Sequence, residues 1–329
     1  MQELEKILEH YGLVDTLSYP VTEKLYRITD GTNEFALKQS SFTEQSMERF
    51  RSLLGLAEEY NIQSFLPVYL TKNNVPCVNR QGRYFYLSPW VPSGRPLSFE
   101  DDVQSLYQTI GKIHKETKQT EMITADEVGK IVSYFQSVYD DTGSSLLQVV
   151  EQFEKEHFMS PFGLLVCTQF RNIQYILRLC REKAGELVEK AGFDADWRIC
   201  LVHGNLQLSH WIDPYFINWE QATFSSPIFD LYTFFTSVSS NQQQNDACLE
   251  QFPVYLEESE LAEHELQLLS LYLLNPQPYF TVVQTYLKEN ISTIQAIYHL
   301  QEAFRKIMFG LSFQTFIERE YKTTANNEE

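Results

Sequence analysis

The sequence lacks a C-x-x-C pair, an apolar run of membrane-spanning length and an internal repeat. Its five cysteines are an odd number, which favours buried free thiols in a reducing compartment over a disulfide framework. The first residues are acidic and amphipathic, whereas a secretion signal has a basic start followed by an apolar run. These absences predict a protein that is made and folded in the cytosol and is not held in a membrane.

Positive charge is also scarce, with 26 Lys and Arg residues against 44 Asp and Glu residues and a formal net charge of -18. A surface this acidic repels phosphate backbones and anionic lipids, so neither nucleic acid nor membrane is expected as a partner. It also disfavours an ATP site unless local cations reverse the field. Hydrophobic residues make up 43% of the 329 residues, enough for the core of one large domain or of two intimate lobes.

The first third of the chain has strand patterns, and the remainder has mainly helical periodicity. The predicted elements of the first third are strands at Leu25–Thr29 and Glu34–Gln39, joined by an Asp-Gly hairpin turn, a helix at Glu44–Tyr60, and strands around Leu66–Leu70 and Arg83–Leu87. A Pro-rich connector follows and separates a predicted N-terminal lobe of residues 1–88 from a predicted C-terminal lobe of residues 89–329. The predicted fold class is α+β, with a small antiparallel sheet and one helix preceding a large, mainly helical part.

The most informative stretch is residues 203–210, which read H-G-N-L-Q-L-S-H. The segments I-N-W-E at 217–220 and S-P-I-F-D-L at 226–231 follow it. In this order the sequence resembles the aminoglycoside phosphotransferase and choline kinase family. The signature of that family reads H-G-D-x-H-x-x-N, then I-D-W-E, then G-x-P-x-x-D-L.

The resemblance covers most of the chain. The sequence G-R-P-L at 94–97 looks like the exit from the hinge strand of that family, and I-G-K-I-H at 110–114 resembles its L-G-x-L-H helix. Phosphotransferases of this family share the bilobal fold of protein kinases, so the resemblance implies that fold. Within the family, the chain is most similar in overall texture to the spore-coat kinase-like proteins.

The resemblance also implies roles for individual residues. Lys38, on the second strand of the hairpin, falls where such folds place the phosphate-binding lysine, although a retained but idle lysine is the alternative. Glu48, or else Glu44, would be its partner on the helix, unless both are solvated helix charges. His203 and Asp230 match positions that brace the catalytic loop, although a first-turn acid favoured by the helix dipole also explains Asp230.

Three departures from the family pattern bear on activity. The catalytic Asp of the family falls on Asn205, and its two magnesium ligands fall on His210 and Asn218. An amide does not accept the proton of a substrate hydroxyl, and loss of a general base lowers a rate by about 10² to 10⁴. Magnesium prefers hard, anionic oxygen, which an imidazole and an amide do not supply. The first turn, around Leu17–Glu23, also lacks the glycines that let backbone approach phosphates.

These departures predict a pseudokinase that works by binding or scaffolding and uses no cofactor. One alternative is an active small-molecule phosphotransferase in which Asp213 or Glu220 replaces the missing acids. Another is a nucleotide sensor that binds ATP without magnesium through Lys38. The resemblance implies a location in the spore coat, and the acidic charge favours protein partners that are basic, such as Lys-rich coat proteins.

Overall fold

The structure, a computed structural model, describes residues 2–92, 98–191, 195–239 and 241–325. The predicted hinge exit Gly94–Leu97 lies outside the described residues. The chain separates into two compact units, one of Met1–Thr117 with Leu201–Phe224 and one of Lys118–Cys200 with Ser225–Glu329. The lobe boundary predicted at residues 88 and 89 lies inside the first of these units and stays a prediction.

The first unit contains a five-stranded antiparallel sheet with the strand order β1-β2-β3-β5-β4. Its strands are β1 (Leu17–Pro20), β2 (Leu25–Thr29), β3 (Glu34–Ser40), β4 (Cys77–Arg80) and β5 (Arg83–Pro89). The predicted hairpin between β2 and β3 is confirmed. Gly31 adopts a φ of 90°, and Oδ1 of Asp30 accepts the N–H groups of Thr32 and Asn33 at 2.8 and 2.6 Å.

Two predictions for this sheet were wrong. Leu66–Leu70 is not a strand. The segment contains Pro67, which has no N–H, and its backbone forms one isolated bridge, at Tyr69, with a second at the preceding Phe65. The fourth strand is instead β4. The turn predicted around Leu17–Glu23 begins only after Pro20, because Leu17–Pro20 pairs with β2 as an edge strand.

The sheet has two chemically different faces. On one face, helix α1 (Gln2–His10) packs Ile7 and Leu8 against the buried core residues Ile28, Phe35, Leu37, Val78, Phe85 and Leu87. On the other face lie Leu25, Lys38 and Tyr86, because they stand directly opposite one another on β2, β3 and β5. The amphipathic start of the chain therefore covers one face and leaves the lysine on the other.

Helix α2 (Glu44–Glu59) begins with a capping box between Thr43 and Ser46 and buries Phe50, as its periodicity predicts. Helix α3 (Phe99–Glu116) ends at Thr117, whose Oγ1 accepts the N–H of Leu201 at 3.0 Å. This bond joins the first segment of the unit to its second segment.

The second segment, Leu201–Phe224, also pairs with the chain before β4. The N–H of Phe216 donates to the carbonyl of Ser64 at 2.8 Å, and the N–H of Leu66 donates to the carbonyl of Phe216 at 3.4 Å. The predicted small hairpin is confirmed as β8 (Trp211–Ile212) and β9 (Tyr215–Phe216). Short 3-10 turns at Leu208–His210 and Trp219–Gln221 flank it, and β10 (Thr223–Ser225) follows.

The second unit is mainly helical. Its helices are α4 (Ala125–Glu154), α5 (Pro161–Ala191), α6 (Ile228–Val238), α7 (Gln242–Glu258), α8 (Glu263–Leu273), α9 (Gln277–Leu287) and α10 (Thr293–Ala325). Strand β6 (Gln119–Ile123) pairs antiparallel with the first residues of β7 (Ala195–Val202). The predicted α+β class is thereby confirmed. Of the helices in the described ranges, none has both the length and the apolar character that crossing a membrane requires.

Candidate functional site

A tight turn at Gly204 sets the geometry of the segment that carries most of the predicted site residues. Gly204 has a φ of 76°, and a Cβ added there would lie 2.2 Å from the carbonyl oxygen of Gln221. Only glycine fits such a backbone contact. The sequence H-G therefore reflects a steric requirement of the fold.

His203 is fully buried and links the two ends of this segment. The N–H of Asn205 donates to its Nδ1 at 3.3 Å, so the ring proton is assigned to Nε2, which donates to the carbonyl of Ile217 at 2.8 Å. This arrangement corresponds to a neutral imidazole. Its predicted bracing role stays a prediction, but the hydrogen bonds supply a physical means for it.

Asn205 and His210 are held by neighbouring groups. Nδ1–H of His210 donates to the carbonyl of Asn205 at 2.9 Å, and Nε2–H of Gln207 donates to Oδ1 of Asn205 at 2.7 Å. Burial lowers the pKa of His210 below its usual range. The imidazole is therefore neutral at neutral pH, and the side-chain oxygen of Asn205 already accepts a donor.

Lys38 forms the centre of the second group of contacts. Its Nζ donates to Oδ1 of Asn218 and, at 2.5 Å, to Oε1 of Glu220. The hydroxyl of Tyr86 donates to the same Oε1 at 3.0 Å. Asn218 adopts the left-handed conformation, with φ 68° and ψ 44°, which asparagine tolerates better than most residues.

Glu48 does not pair with Lys38. It lies 3.6 Å from Arg51, measured between Oε1 and NH1, and its side chain is 58% exposed. The reason is its position on α2, where the buried residues include Phe50 on the opposite side of the helix. Glu44, the alternative partner, is exposed at the first turn of the same helix.

The two other acids singled out from the sequence, Asp230 and Asp213, do not share the contacts of Glu220 with Lys38. Asp230 is completely buried in the first turn of α6, in the second unit, where an acid suits the helix dipole. Its predicted bracing role stays a prediction. Asp213 is exposed in the turn between β8 and β9 and is not among the described residues that line the two pockets of the first unit.

The first of these pockets, the apolar cavity, has a volume of about 310 Å³. Its floor is the sheet face that carries Lys38, and its lining is largely aliphatic and aromatic. The apolar lining includes Leu25, Ala36, Phe65, Leu66, Tyr86, Trp90, Val91, Ile217 and Trp219. Enclosure by flat rings and branched chains suits a planar apolar group.

The second pocket, the polar pocket, has a volume of about 500 Å³ and adjoins the first, since Lys38 and Asn218 line both. Its other polar lining residues include Ser40, Ser41, Ser46, Arg49, Asn205, His210, Glu220 and Gln221. The structure thus brings together four predicted site residues, Lys38, Asn205, His210 and Asn218. Glu48 and Asp230 lie outside this group.

The donor chemistry of the polar pocket does not fit magnesium. Oδ1 of Asn205 accepts from Gln207, and Oδ1 of Asn218 and Oε1 of Glu220 accept from the ammonium of Lys38. Amide oxygens that face N–H donors are not the anionic oxygens that magnesium prefers. The described residues also contain no group of three or more His, Cys, Asp or Glu side chains arranged to hold a metal ion.

Sequence reasoning missed two residues that shape this site. Tyr86 stands directly opposite Lys38 on β5, so the strand register would have identified it. Trp219 packs its ring against Phe65 and His203, with centroid distances of 5.1 and 4.8 Å. It lies within I-N-W-E, where a buried tryptophan beside two polar site positions indicates a pocket wall.

Comparison with known proteins identifies the fold. The sequence matches no protein-family model and no curated protein at a significant level. Among solved structures, an aminoglycoside phosphotransferase from Alicyclobacillus acidocaldarius is similar, with a TM-score of 0.70 and 17% identity over 95% of this chain and 96% of that chain. An AMP-bound spectinomycin phosphotransferase is similar with a TM-score of 0.59 and 12% identity, over 94% of this chain and 98% of that chain.

A microcompartment-associated aminopropanol kinase is also similar, with a TM-score of 0.55 and 13% identity, over 95% of this chain and 97% of that chain. At such low identities these likenesses establish the fold alone. The predicted kinase-like fold is confirmed. Fold does not determine activity, which depends on the residues in the site.

Proposed function

We propose that this chain is a pseudokinase of the aminoglycoside phosphotransferase family, a protein that binds a ligand or a partner without transferring phosphate. The fold supports a relation to phosphotransferases. The side chains of the polar pocket support the loss of chemistry, because Asn205, His210 and Asn218 replace the groups that the resemblance expects there.

The observation that carries the proposal is the state of Glu220, the one carboxylate among the described residues lining the polar pocket. Its Oε1 accepts from both Lys38 and Tyr86. A general base must be within hydrogen-bond reach of the proton that it accepts, and two internal donors already occupy this oxygen. Glu220 is therefore unsuited to replace the catalytic aspartate while these contacts persist.

The direct experiment measures phosphoryl transfer and ligand-dependent stability together. Purified protein is incubated with radiolabelled ATP, magnesium and a panel of amino alcohols and aminoglycosides, and its melting temperature is recorded with ATP, with and without magnesium. We expect no labelled product and no magnesium-dependent rise in melting temperature. Either a labelled product or a clear magnesium-dependent rise would contradict the proposal.

Variants distinguish the alternatives. A product that disappears in Glu220→Gln but persists in Glu48→Gln would establish an active phosphotransferase with a relocated acid. Asp213→Asn tests the other relocated acid in the same assay. Nucleotide binding that survives EDTA but is lost in Lys38→Ala would establish a metal-independent nucleotide sensor.

The cellular role follows from the sequence resemblance to spore-coat kinase-like proteins. The protein would be deposited in the spore coat, where its net charge of -18 attracts basic coat proteins. An antibody against the protein should detect it in coat extracts of mature spores. Retention of the protein in the soluble fraction of sporulating cells, with none in the coat, would contradict this location.

A further inference from the structure

One face of α5 carries positive charge on a protein whose net charge is -18. Arg171 and Arg178 lie two helical turns apart, and Tyr175 lies between them on the same face of the helix. All three residues are exposed, and the guanidinium carbon of Arg178 lies 5.6 Å from the ring centroid of Tyr175. These three residues, which we call the basic patch, line a shallow hollow of about 460 Å³. The basic patch is therefore a local exception to the acidic surface.

The two arginines of the basic patch have no ion-pair partner within the described parts of the chain. By contrast, Arg181 on the same helix pairs with Asp140 at 2.8 Å. Arginine and tyrosine are enriched at the centres of protein interfaces, because a guanidinium binds a carboxylate through two parallel hydrogen bonds and a tyrosine ring buries a large area. The basic patch thus has the composition of an interface whose partner is acidic.

A groove between α7 and α10, in the same unit, has the complementary character. Its volume is about 710 Å³, and its apolar lining consists of Leu249 and Pro253 on α7 and Leu311 and Phe316 on α10. A groove with apolar walls from two helices can accept the face of a third helix, which anchors itself through residues at i, i+4 and i+7. The residues of the basic patch have this spacing.

Carboxylates line the same groove, which we call the acidic groove. Asp246 and Glu250 lie one turn apart on α7, both are exposed, and neither forms a salt bridge with another residue in the described ranges. Arg319 also lines the groove, but its Nε is already paired with Oε1 of Glu320 at 3.1 Å. The acidic groove therefore offers two unpaired carboxylates beside apolar walls.

The basic patch and the acidic groove match in charge, spacing and polarity. At 1.5 Å of rise per residue, Arg171 and Arg178 are about 10 Å apart along α5. With the patch seated in the groove, the ring of Tyr175 would contact the apolar walls while the guanidinium groups reach Asp246 and Glu250. Every copy of the chain carries both surfaces, so each copy is a complement of the next.

The net charge of -18 opposes contact between copies mainly at long range. At physiological ionic strength the Debye length is about 8 Å, so exposed charges farther apart are largely screened, whereas pairs that become partly buried in a contact are screened much less. Complementary local charge can therefore direct association between copies of like net charge.

From these observations we infer that the protein associates with itself, with the basic patch of one copy docked in the acidic groove of a second copy. The contact joins two different surfaces, so further copies can add head to tail. The inference goes beyond the proposed function and does not depend on it, because both surfaces belong to the second unit and none of their residues is among those that line the polar pocket.

Sedimentation velocity in about 0.15 M salt tests the inference. Over about 1 to 200 μM, the weight-average mass of the native protein should rise to at least about twice that of the monomer. In Arg171→Glu/Arg178→Glu, and separately in Asp246→Lys/Glu250→Lys, like charges would meet in the contact. Each double variant should therefore stay monomeric over the same range of concentrations.

An equal mixture of the two double variants is the sharpest measurement. The reversed patch of the first variant is complementary to the reversed groove of the second, and the two unchanged surfaces are complementary as well. The mixture should therefore associate as the native protein does. Such a rescue also shows that both variants are folded.

Lys6→Glu/Arg305→Glu is the matched control, because it reverses two exposed cations outside both surfaces and changes the net charge as much as Arg171→Glu/Arg178→Glu does. It should associate as the native protein does. The groove variant separates the contact from general repulsion, because it makes the protein less acidic. General repulsion alone would then let it associate more strongly, whereas loss of the contact keeps it monomeric.

Three results would overturn the inference: a native protein that is monomeric at every concentration, association of both double variants equal to that of the native protein, or a mixture that stays monomeric although circular dichroism shows that both variants are folded. Each of these leaves the proposed function intact. A labelled product in the phosphoryl-transfer assay would instead refute the proposed function and leave self-association unaffected, so the two failures are separable.

Discussion

The apolar cavity and the polar pocket share Lys38 and Asn218, yet the rest of the lining is mainly apolar in the first and mainly polar in the second. The cavity is shaped by aliphatic and aromatic side chains, of which Phe65, Tyr86 and Trp219 are buried. The polar pocket is shaped by side chains that bond to one another, such as His210 to Asn205 and Lys38 to Glu220. Packing between apolar side chains therefore stabilises the cavity. The carboxylates that the family resemblance expects in the polar pocket have no such packing role, so only a function would require them.

Under the proposed function, this difference explains how the fold would persist without phosphoryl transfer. One side-chain atom of each of Asn205, His210 and Asn218 bonds to a group within the protein, and such internal bonds rigidify a polar network. The same bonds occupy Nζ of Lys38 and the side-chain oxygens Oδ1 of Asn205 and Oδ1 of Asn218. The fold and the apolar cavity do not depend on those groups being free.

The largest expected effect comes from Gly204, whose turn lies against Gln221, a residue that lines the polar pocket and not the apolar cavity. The change Gly204→Ala brings a Cβ to within 2.2 Å of the carbonyl oxygen of Gln221, so the backbone must move. We expect a loss of about 4 kcal/mol or more in the free energy of unfolding, measured by urea denaturation followed by tryptophan fluorescence.

Gly31→Ala is the matched control, because Gly31 also has a positive φ, of 90°, but no atom lies within 4 Å of an added Cβ. Only backbone strain remains there, about 1–2 kcal/mol. Equal losses in the two variants would show that the contact with Gln221 is unimportant. The polar pocket would then not depend on this turn.

A smaller effect is expected at the residue that the two pockets share. Lys38→Met removes the ammonium but keeps most of the stem, and it leaves the carboxylate of Glu220 partly buried without its ion-pair partner. The expected loss in the free energy of unfolding is about 1–3 kcal/mol. The double variant Lys38→Met with Glu220→Gln should recover part of that loss, because no unpaired charge remains.

Additive losses in this double-mutant cycle would contradict the pairing of Lys38 with Glu220. A second cycle with Glu48→Gln supplies the reference, because that residue pairs elsewhere. Its coupling to Lys38→Met should be close to zero.

The sequence predicted the local parts of the fold because local signals determine them. The Asp-Gly turn, the periodicity of α2 and the small hairpin around Asp213-Pro214 are all encoded within a few residues. The misplaced strand at Leu66–Leu70 shows the limit. A short apolar run is typical of a strand, but whether it joins a sheet depends on a partner strand elsewhere in the chain. Here the strand that pairs with this edge of β5 is Cys77–Arg80.

The candidate site shows the same limit at longer range. The motif predicted that Asn205, His210 and Asn218 would lie near Lys38, and they line one pocket with it. It did not predict the partner of Lys38, because Glu220 is 182 residues away and the choice between it and Glu48 depends on which helix face is buried. Periodicity alone identifies the faces of α2 but not what stands opposite the lysine.

The smallest expected effect therefore provides a direct test of that choice. Glu48→Ala removes an exposed carboxylate whose one described ion pair, with Arg51, spans 3.6 Å between neighbours on α2. Exposed pairs of this kind contribute little, so the free energy of unfolding should change by no more than about 0.5 kcal/mol, with ligand binding unaffected. A loss comparable to that of Lys38→Met would mean that Glu48 and Lys38 act together after all. In that case Glu220 would not be held in an ion pair with Lys38. The contrast between an apolar cavity and an internally bonded polar pocket would then no longer hold.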